Sequence, residues 1–251
     1  MIQTNTISID QLFSVGAHYG FTKRRRHPSV VPYLYGAKDG NDIINLETTA
    51  TQLMTAGTMI REAVAVGKTV LFVGTKDEVA AQVAAMSQTL EAPYVSNRWI
   101  GGMLTNFSEV KKRIQRLDSL QNEKESGVWE RKYTKKERVM LGRELTKLEF
   151  NFGGIRTLSK TPDLLVVIDP RFEEIAVEEA QTIGIPVIAV AGTDCNIKHI
   201  THPIVMNDAS RESVALALET FAEAFKAGRS AQVETTARTP KTARSTSTSV
   251  A

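Results

Sequence analysis

The chain has 251 residues, 42% of them hydrophobic and 24% charged, with a net charge of +3 and a single cysteine, Cys195. That length suits one large α/β domain or two small ones. The lack of an apolar run of about 18 residues argues against a membrane-spanning helix, and one cysteine excludes an internal disulfide and points to a reducing, cytoplasmic setting. The charge is unevenly placed: residues 1–36 carry +3, residues 105–151 carry +4, residues 226–251 carry +4, and the remainder carries −8. Basic appendages around an acidic body are the footprint of a polyanion partner met through the periphery.

Met1–Leu12 lacks the basic cap and apolar core of a secretory signal, so none is expected. Ser8–Val15 reads as a short helix capped by Ser8. Gly16–Gly20 ends it, and the cations Lys23, Arg24, Arg25 and Arg26 follow beside His18, Tyr19, Phe21 and His27. Cations of this kind pair with phosphates, and neighbouring aromatic faces stack on exposed bases. Tyr33–Tyr35 and Asp42–Leu46 flank an Asp39-Gly40 turn, a hairpin signal. Thr48–Val66 has helical spacing with Gly67 as its C-terminal cap, Thr69–Val73 is a buried strand, Asp77–Leu90 a second helix, and Pro93–Val95 a second short strand.

Asn97–Asn106, Asn-Arg-Trp-Ile-Gly-Gly-Met-Leu-Thr-Asn, is the sharpest break in the pattern. It reads as a joint. Gly101 and Gly102 let the backbone turn off the sheet, Trp99 packs, Thr105 or Asn106 caps the helix that follows, and Arg98 is left free to reach outward. From there Phe107, Val110, Ile114, Leu117 and Leu120 form a narrow apolar stripe, resumed after Gly127 by Val139, Leu141, Leu145, Leu148 and Phe152. Two amphipathic helices joined by a short loop make a projecting coiled-coil hairpin. Its arms would be ~30 Å long at ~1.5 Å per residue. Lys111, Lys112, Arg113 and Arg116 on its first arm are, with Arg98, further candidate phosphate contacts; i,i+4 pairing of Glu109 with Arg113 is the competing role for part of that set.

Gly153-Gly154 returns the chain to the body. Asp163–Asp169 is the clearest buried strand, Phe172–Ile183 a helix stopped by Gly184, Pro186–Ala191 and Ile204–Met206 two more strands, and Ser210 caps a final helix expected to end at Gly228. Strands alternating with helices imply a parallel sheet covered on both faces. Residues 229–251 are rich in Ser and Thr and read as a disordered basic tail. The expected units are a basic N-terminal segment, 1–36; an α/β sandwich, 37–104 with 152–228; the hairpin, 105–151; and the tail.

Nucleotide chemistry finds little support. Gly67-Lys68-Thr69 ends a helix and opens a strand, the reverse of a phosphate loop, and Glu62 stands where that loop needs a glycine. Leu71–Asp77 resembles a guanine-reading strand end, with Glu78 where an aspartate is required, and no GxGxxG occurs. Asp169, at a strand end before Pro170 and Arg171, reads as a cap for the next helix. Cys195, His199 and His202 have ligand-like spacing but no second pair, so no metal is assigned and no cofactor is expected.

Three blocks, in order, resemble the S-two family, the second protein of the small ribosomal subunit, in its bacterial form. They are Leu12–Gly20, Asn97–Asn106, and Pro162–Asp169 running through Glu178-Glu179 to Gly184–Pro186; together the likeness spans residues 8–228. Phe21 departs from the pattern, as do the loops Thr193–His199 and Met206–Ser210. The resemblance implies a Rossmann-like, flavodoxin-like parallel sheet sandwiched by helices, with a protruding α-helical coiled-coil hairpin. It implies a structural, non-catalytic role in the cytoplasmic ribosome, on the solvent side near the junction of head and body. The implied partners are ribosomal RNA of the small subunit and other small-subunit proteins, including the large messenger-binding one, and no membrane. Two other readings make distinct predictions: a nucleotide-using doubly wound enzyme would bind purine nucleotides, and a scaffold whose hairpin meets only protein would ignore RNA at low salt.

Overall fold

The computed structural model describes residues 7–238. Among them α1 (Ile9–Ser14) opens with a reciprocal cap: Ser8 Oγ accepts from Gln11 N at 3.1 Å while Gln11 Oε1 accepts from Ser8 N at 3.0 Å. A small antiparallel sheet follows, made of β1 (Tyr19–Thr22), β2 (Leu34–Lys38) and β3 (Asn41–Ile44) in the order β1-β3-β2. The β2–β3 hairpin turns at Asp39-Gly40, both with positive φ, as the Asp-Gly signal requires. β1 is not foreseen from the sequence: it has no clean alternation, and pairing to β3 with an irregular register holds it. β2 also crosses the unit boundary expected at residue 36, so the N-terminal segment is stitched into the body.

The main sheet is parallel, in the order β5-β4-β6-β7-β8: Tyr94–Val95, Val70–Val73, Leu164–Ile168, Val187–Ala191 and His202–Val205. Alternate side chains feed two cores. Val70, Phe72, Leu164, Val166, Ile168, Ile188 and Val190 face α1, α2 (Leu46–Ala65), α3 (Ala80–Leu90) and α8 (Arg211–Arg238). Leu71, Val73, Leu165, Val167, Val187 and Ala189 face α7 (Glu174–Thr182), the Asn97–Asn106 segment and the two long helices after it, α4 (Phe107–Glu125) and α6 (Lys135–Phe152). Each fully buried aliphatic side chain is worth roughly 1.5–3 kcal/mol, so helix cover on both sides explains why these strands are apolar throughout. The Rossmann-like α/β architecture is therefore present.

Three expectations are corrected. The turn between α4 and α6 is no plain loop: it contains α5 (Val128–Lys132), which buries Trp129. Asn106 sits at the N-cap of α4, but its side chain makes no capping bond, and Asn106 Oδ1 accepts from Ser108 Oγ instead. The last helix does not stop at Gly228. It continues to Arg238, so the tail expected from 229 begins as helix; residues 239–251 of that tail lie outside the described residues. Gly228 is a contact glycine, because a Cβ there would stand 2.6 Å from Arg61 O on α2. Its lack of a side chain lets α2 and α8 approach, and that need overrides its local use as a stop signal. No helix among the described residues is long and apolar enough to cross a membrane.

Candidate nucleic-acid interface

The Lys23–His27 run forms the turn after β1, and the fold divides its residues. Arg26 turns inward: its Nη1 donates to Asp42 Oδ1 at 3.2 Å, and the Asp42 side chain is fully buried. Arg25 donates to Asp194 Oδ2 at 2.9 Å, and its guanidinium lies 4.3 Å from the Phe21 ring centre. Asp194 also accepts from Arg171, so it already serves two guanidinium groups. His27 is a local cap, its Nδ1 accepting from Ser29 N. Lys23 and Arg24 are exposed, and their side chains make no bond among the described residues. Beside them Tyr19 is 57% exposed and packs on His18, whose ring stacks on Phe13 at 4.4 Å. Burial lowers the His18 pKa, which disfavours a positive charge within this stack.

The α4 cations divide in the same way. Lys112 pairs with Glu109 at 2.6 Å, and Arg116 makes a two-pronged bridge to Glu144 on α6 at 3.0 and 3.3 Å. Glu109 thus takes the i+3 partner, Lys112, where the sequence suggested Arg113. Lys111 and Arg113 are exposed, without a bonded partner among the described residues. Arg156, which carries no signal in the sequence, bridges to Asp118 and Gln121 and so ties the second half of α4 to the chain that follows α6.

Between the two basic regions lies Asn97–Asn106, and the group that shapes it is Glu179 on α7. One carboxylate oxygen accepts from Trp99 Nε1 at 3.1 Å and Gly102 N at 2.7 Å; the other accepts from Leu104 N at 2.9 Å, Thr105 N at 3.1 Å and Thr105 Oγ1. Burial alone would raise this carboxyl's pKa, but the converging donors hold it below its ordinary range. Trp99, Met103 and Leu104 are buried in the adjoining core. Gly102 has φ +86° and needs to be glycine, whereas Gly101 has no such constraint. Arg98 is exposed, with no bond among the described residues. Glu179 lies 74 to 80 residues away from its partners. Nothing in its local pattern marks it beyond its place in the third familiar block.

The order β5-β4-β6 places the topological switch of the sheet between β4 and β6, where doubly wound folds bind ligands. Here that crevice is filled from within. Glu173 accepts from Thr75 N at 2.7 Å and Thr75 Oγ1 at 2.6 Å, and Lys76 Nζ donates to Asp169 Oδ2 at 3.1 Å. Burial raises the Glu173 pKa against the pull of those bonds. Asp169 also accepts from Arg171 N and Phe172 N, so it fastens the turn leading into α7 and does not cap it as expected; the N-cap position is Glu173. Cys195, His199 and His202 do not converge. His202 Nε2 bonds Gln52 O at 2.8 Å, and His199 is exposed. Among the described residues the grouping with metal-like geometry is Asp169, Cys195 and Asp208, whose ligand atoms lie within 4.8 Å of one another. Burial pushes the Cys195 thiol up, and Asp208 rises to about 7 through burial and then the nearby Asp169 charge. Lys76 already brings a positive charge to these carboxylates.

Comparison with known proteins adds the following. The family model described as "Ribosomal protein S2" matches residues 12–228. The chain is 40% identical over 222 residues to the small ribosomal subunit protein uS2 of Micrococcus luteus, covering 88% of this chain and 78% of the relative. It is 41% identical over 226 residues to that of a Picosynechococcus species, with 90% and 88% covered. To the uS2c protein of Rhodomonas salina it is 39% identical over 227 residues, with 90% and 93% covered.

Proposed function

Since the chain belongs to the ribosomal protein S2 family, we propose that it docks on ribosomal RNA of the small subunit through two sets of unpaired cations while its acidic body faces neighbouring proteins. It is a structural constituent of the small ribosomal subunit and not an enzyme, and it is part of the ribosome in the cytoplasm. One observation supports the docking reading above the rest. Lys23, Arg24, Arg98, Lys111 and Arg113 are exposed and bonded to no carboxylate, although the body supplies acidic groups to Arg25, Arg26 and Arg171. Cations with no bonded carboxylate are available to displace counterions from phosphate.

In this reading Arg25, Arg26, Lys112 and Arg116 shape the surface, and the unpaired cations carry the phosphate contacts. The family resemblance further supports a seat on the solvent side near the head–body junction, where the protein helps seat the large messenger-binding protein. The test is co-sedimentation of the full chain with small subunits lacking it, across a salt series. The double variant Lys23→Ala, Arg24→Ala is expected to flatten the log–log salt slope by about 1.5 units, at roughly 0.7–0.9 for each phosphate no longer neutralised. An unchanged slope overturns the reading, and a chain that ignores RNA at low salt returns the role to protein contacts alone.

A further inference from the structure

A cleft of about 120 Å³ lies where β5 leaves the sheet and α6 returns to it, lined by Tyr94, Ser96, Asn97, Glu149, Phe150 and Asn151. Its walls are fixed to one another. Asn97 Nδ2 donates to Phe150 O at 2.8 Å, and a Cβ on Gly154 would stand 2.3 Å from Tyr94 O, so the two segments are in backbone contact. Phe150, which lines this fixed cleft, is 57% exposed, although Phe152, two residues on, is buried in the core. Core packing does not account for an aromatic ring left beside polar walls.

The remaining groups describe a ligand. The Asn151 side chain and Asn97 Oδ1 have no bond among the described residues, and Glu149 has only a 4.0 Å ion pair with Arg156. Amides and a carboxylate are the groups that read the Watson–Crick edge of a base, and an exposed aromatic ring is the surface on which an unstacked base lies. Arg98, the residue after Asn97, supplies an unpaired cation. The volume is below the ~300–1,000 Å³ of ordinary cofactor or drug pockets, which leaves room for one planar ring.

We propose that this cleft takes a single unpaired base of ribosomal RNA, stacked on Phe150 and hydrogen-bonded by Asn97 and Asn151, with Arg98 on an adjoining phosphate. This rests on the RNA-docking reading above and adds to it a base-specific contact on the side of the joint where the helix pair returns to the sheet.

The experiment places photoreactive benzoylphenylalanine at position 150 of the full chain in assembled small subunits and maps cross-links by primer extension. A cross-link to one unpaired ribosomal RNA nucleotide is expected. Phe150→Ala should raise the reactivity of that base toward dimethyl sulfate or carbodiimide several-fold, and Phe150→Tyr, which keeps a stacking face, should restore protection. Because the ring is exposed, Phe150→Ala leaves the core intact. Cross-links to protein or to helical RNA, or none in particles that contain the chain, overturn the proposal and leave the docking reading standing. A wild-type chain that fails to enter particles overturns both.

Discussion

The turn at Lys23–Arg26 and the first arm of the long helix pair look alike as basic runs, yet the fold uses their cations differently. In both, some cations are bonded and some are free. The difference lies in the carboxylates they meet. Arg26 and Arg25 answer Asp42 and Asp194, whose side chains are 0% and 5% exposed, whereas Lys112 and Arg116 answer Glu109 and Glu144, which are 55% and 43% exposed. A buried carboxylate that loses its partner is left desolvated and uncompensated. An exposed one is simply rehydrated. A run of like charges therefore has no single role: burial of the opposing group decides which members hold the fold and which remain for a partner.

Glu179 extends the buried side of this comparison to its limit, since one carboxylate satisfies donors from Trp99, Gly102, Leu104 and Thr105. Glu179→Ala should therefore have the largest effect, a loss of roughly 3–5 kcal/mol in urea unfolding. A pH dependence accompanies it. The folded pKa of Glu179 lies below its ordinary value, so its stabilisation is complete above the unfolded carboxyl pKa of ~4.3 and is lost as pH falls through the folded one. The gap between wild type and Glu179→Ala should accordingly narrow in acid; a gap constant from pH 7 down to pH 3 would remove the charge from the explanation.

Arg26→Ala comes next. Asp42 Oδ2 has no bond and Oδ1 accepts from Arg26, so the variant isolates a buried carboxylate. Because Arg26 itself is 31% exposed, the expected cost is ~1–3 kcal/mol, read as a lower denaturation midpoint at unchanged slope. Lys112→Ala, which breaks a pair open to solvent on both sides, should leave the denaturation midpoint nearly unchanged. If Arg26→Ala and Lys112→Ala prove equal in calorimetry, burial of the opposing carboxylate does not set the difference.

Much of the architecture is legible locally. Val70–Val73, Leu164–Ile168 and Val187–Ala191 are apolar at every position, the signature of strands covered on both faces. The 3.6-residue stripe of α4 announces itself through Val110, Ile114, Leu117 and Leu120, all of which are buried. In the Asn97–Asn106 segment the positive φ of Gly102 and the burial of Trp99 follow from residue type. The segment's fastening does not, because the expected cap, Asn106, is idle and Glu179 acts from another helix. The cations were visible as a set, but their division into bonded and free was not, since Asp42 and Asp194 lie 16 and 169 residues from their arginines.

What the sequence by itself determined is therefore the alternation of strands and helices, the place of the joint, the basic runs and the family likeness, because each is written in residue type and spacing within a short window. Only the tertiary structure decided which arginines are spent on buried carboxylates, that Glu173 and Lys76 fill the crevice at the sheet's switch point, and that α8 runs on through Gly228. Those outcomes depend on groups distant in sequence meeting in a desolvated interior. There an unpaired charge or a single extra Cβ costs more than a local preference can supply.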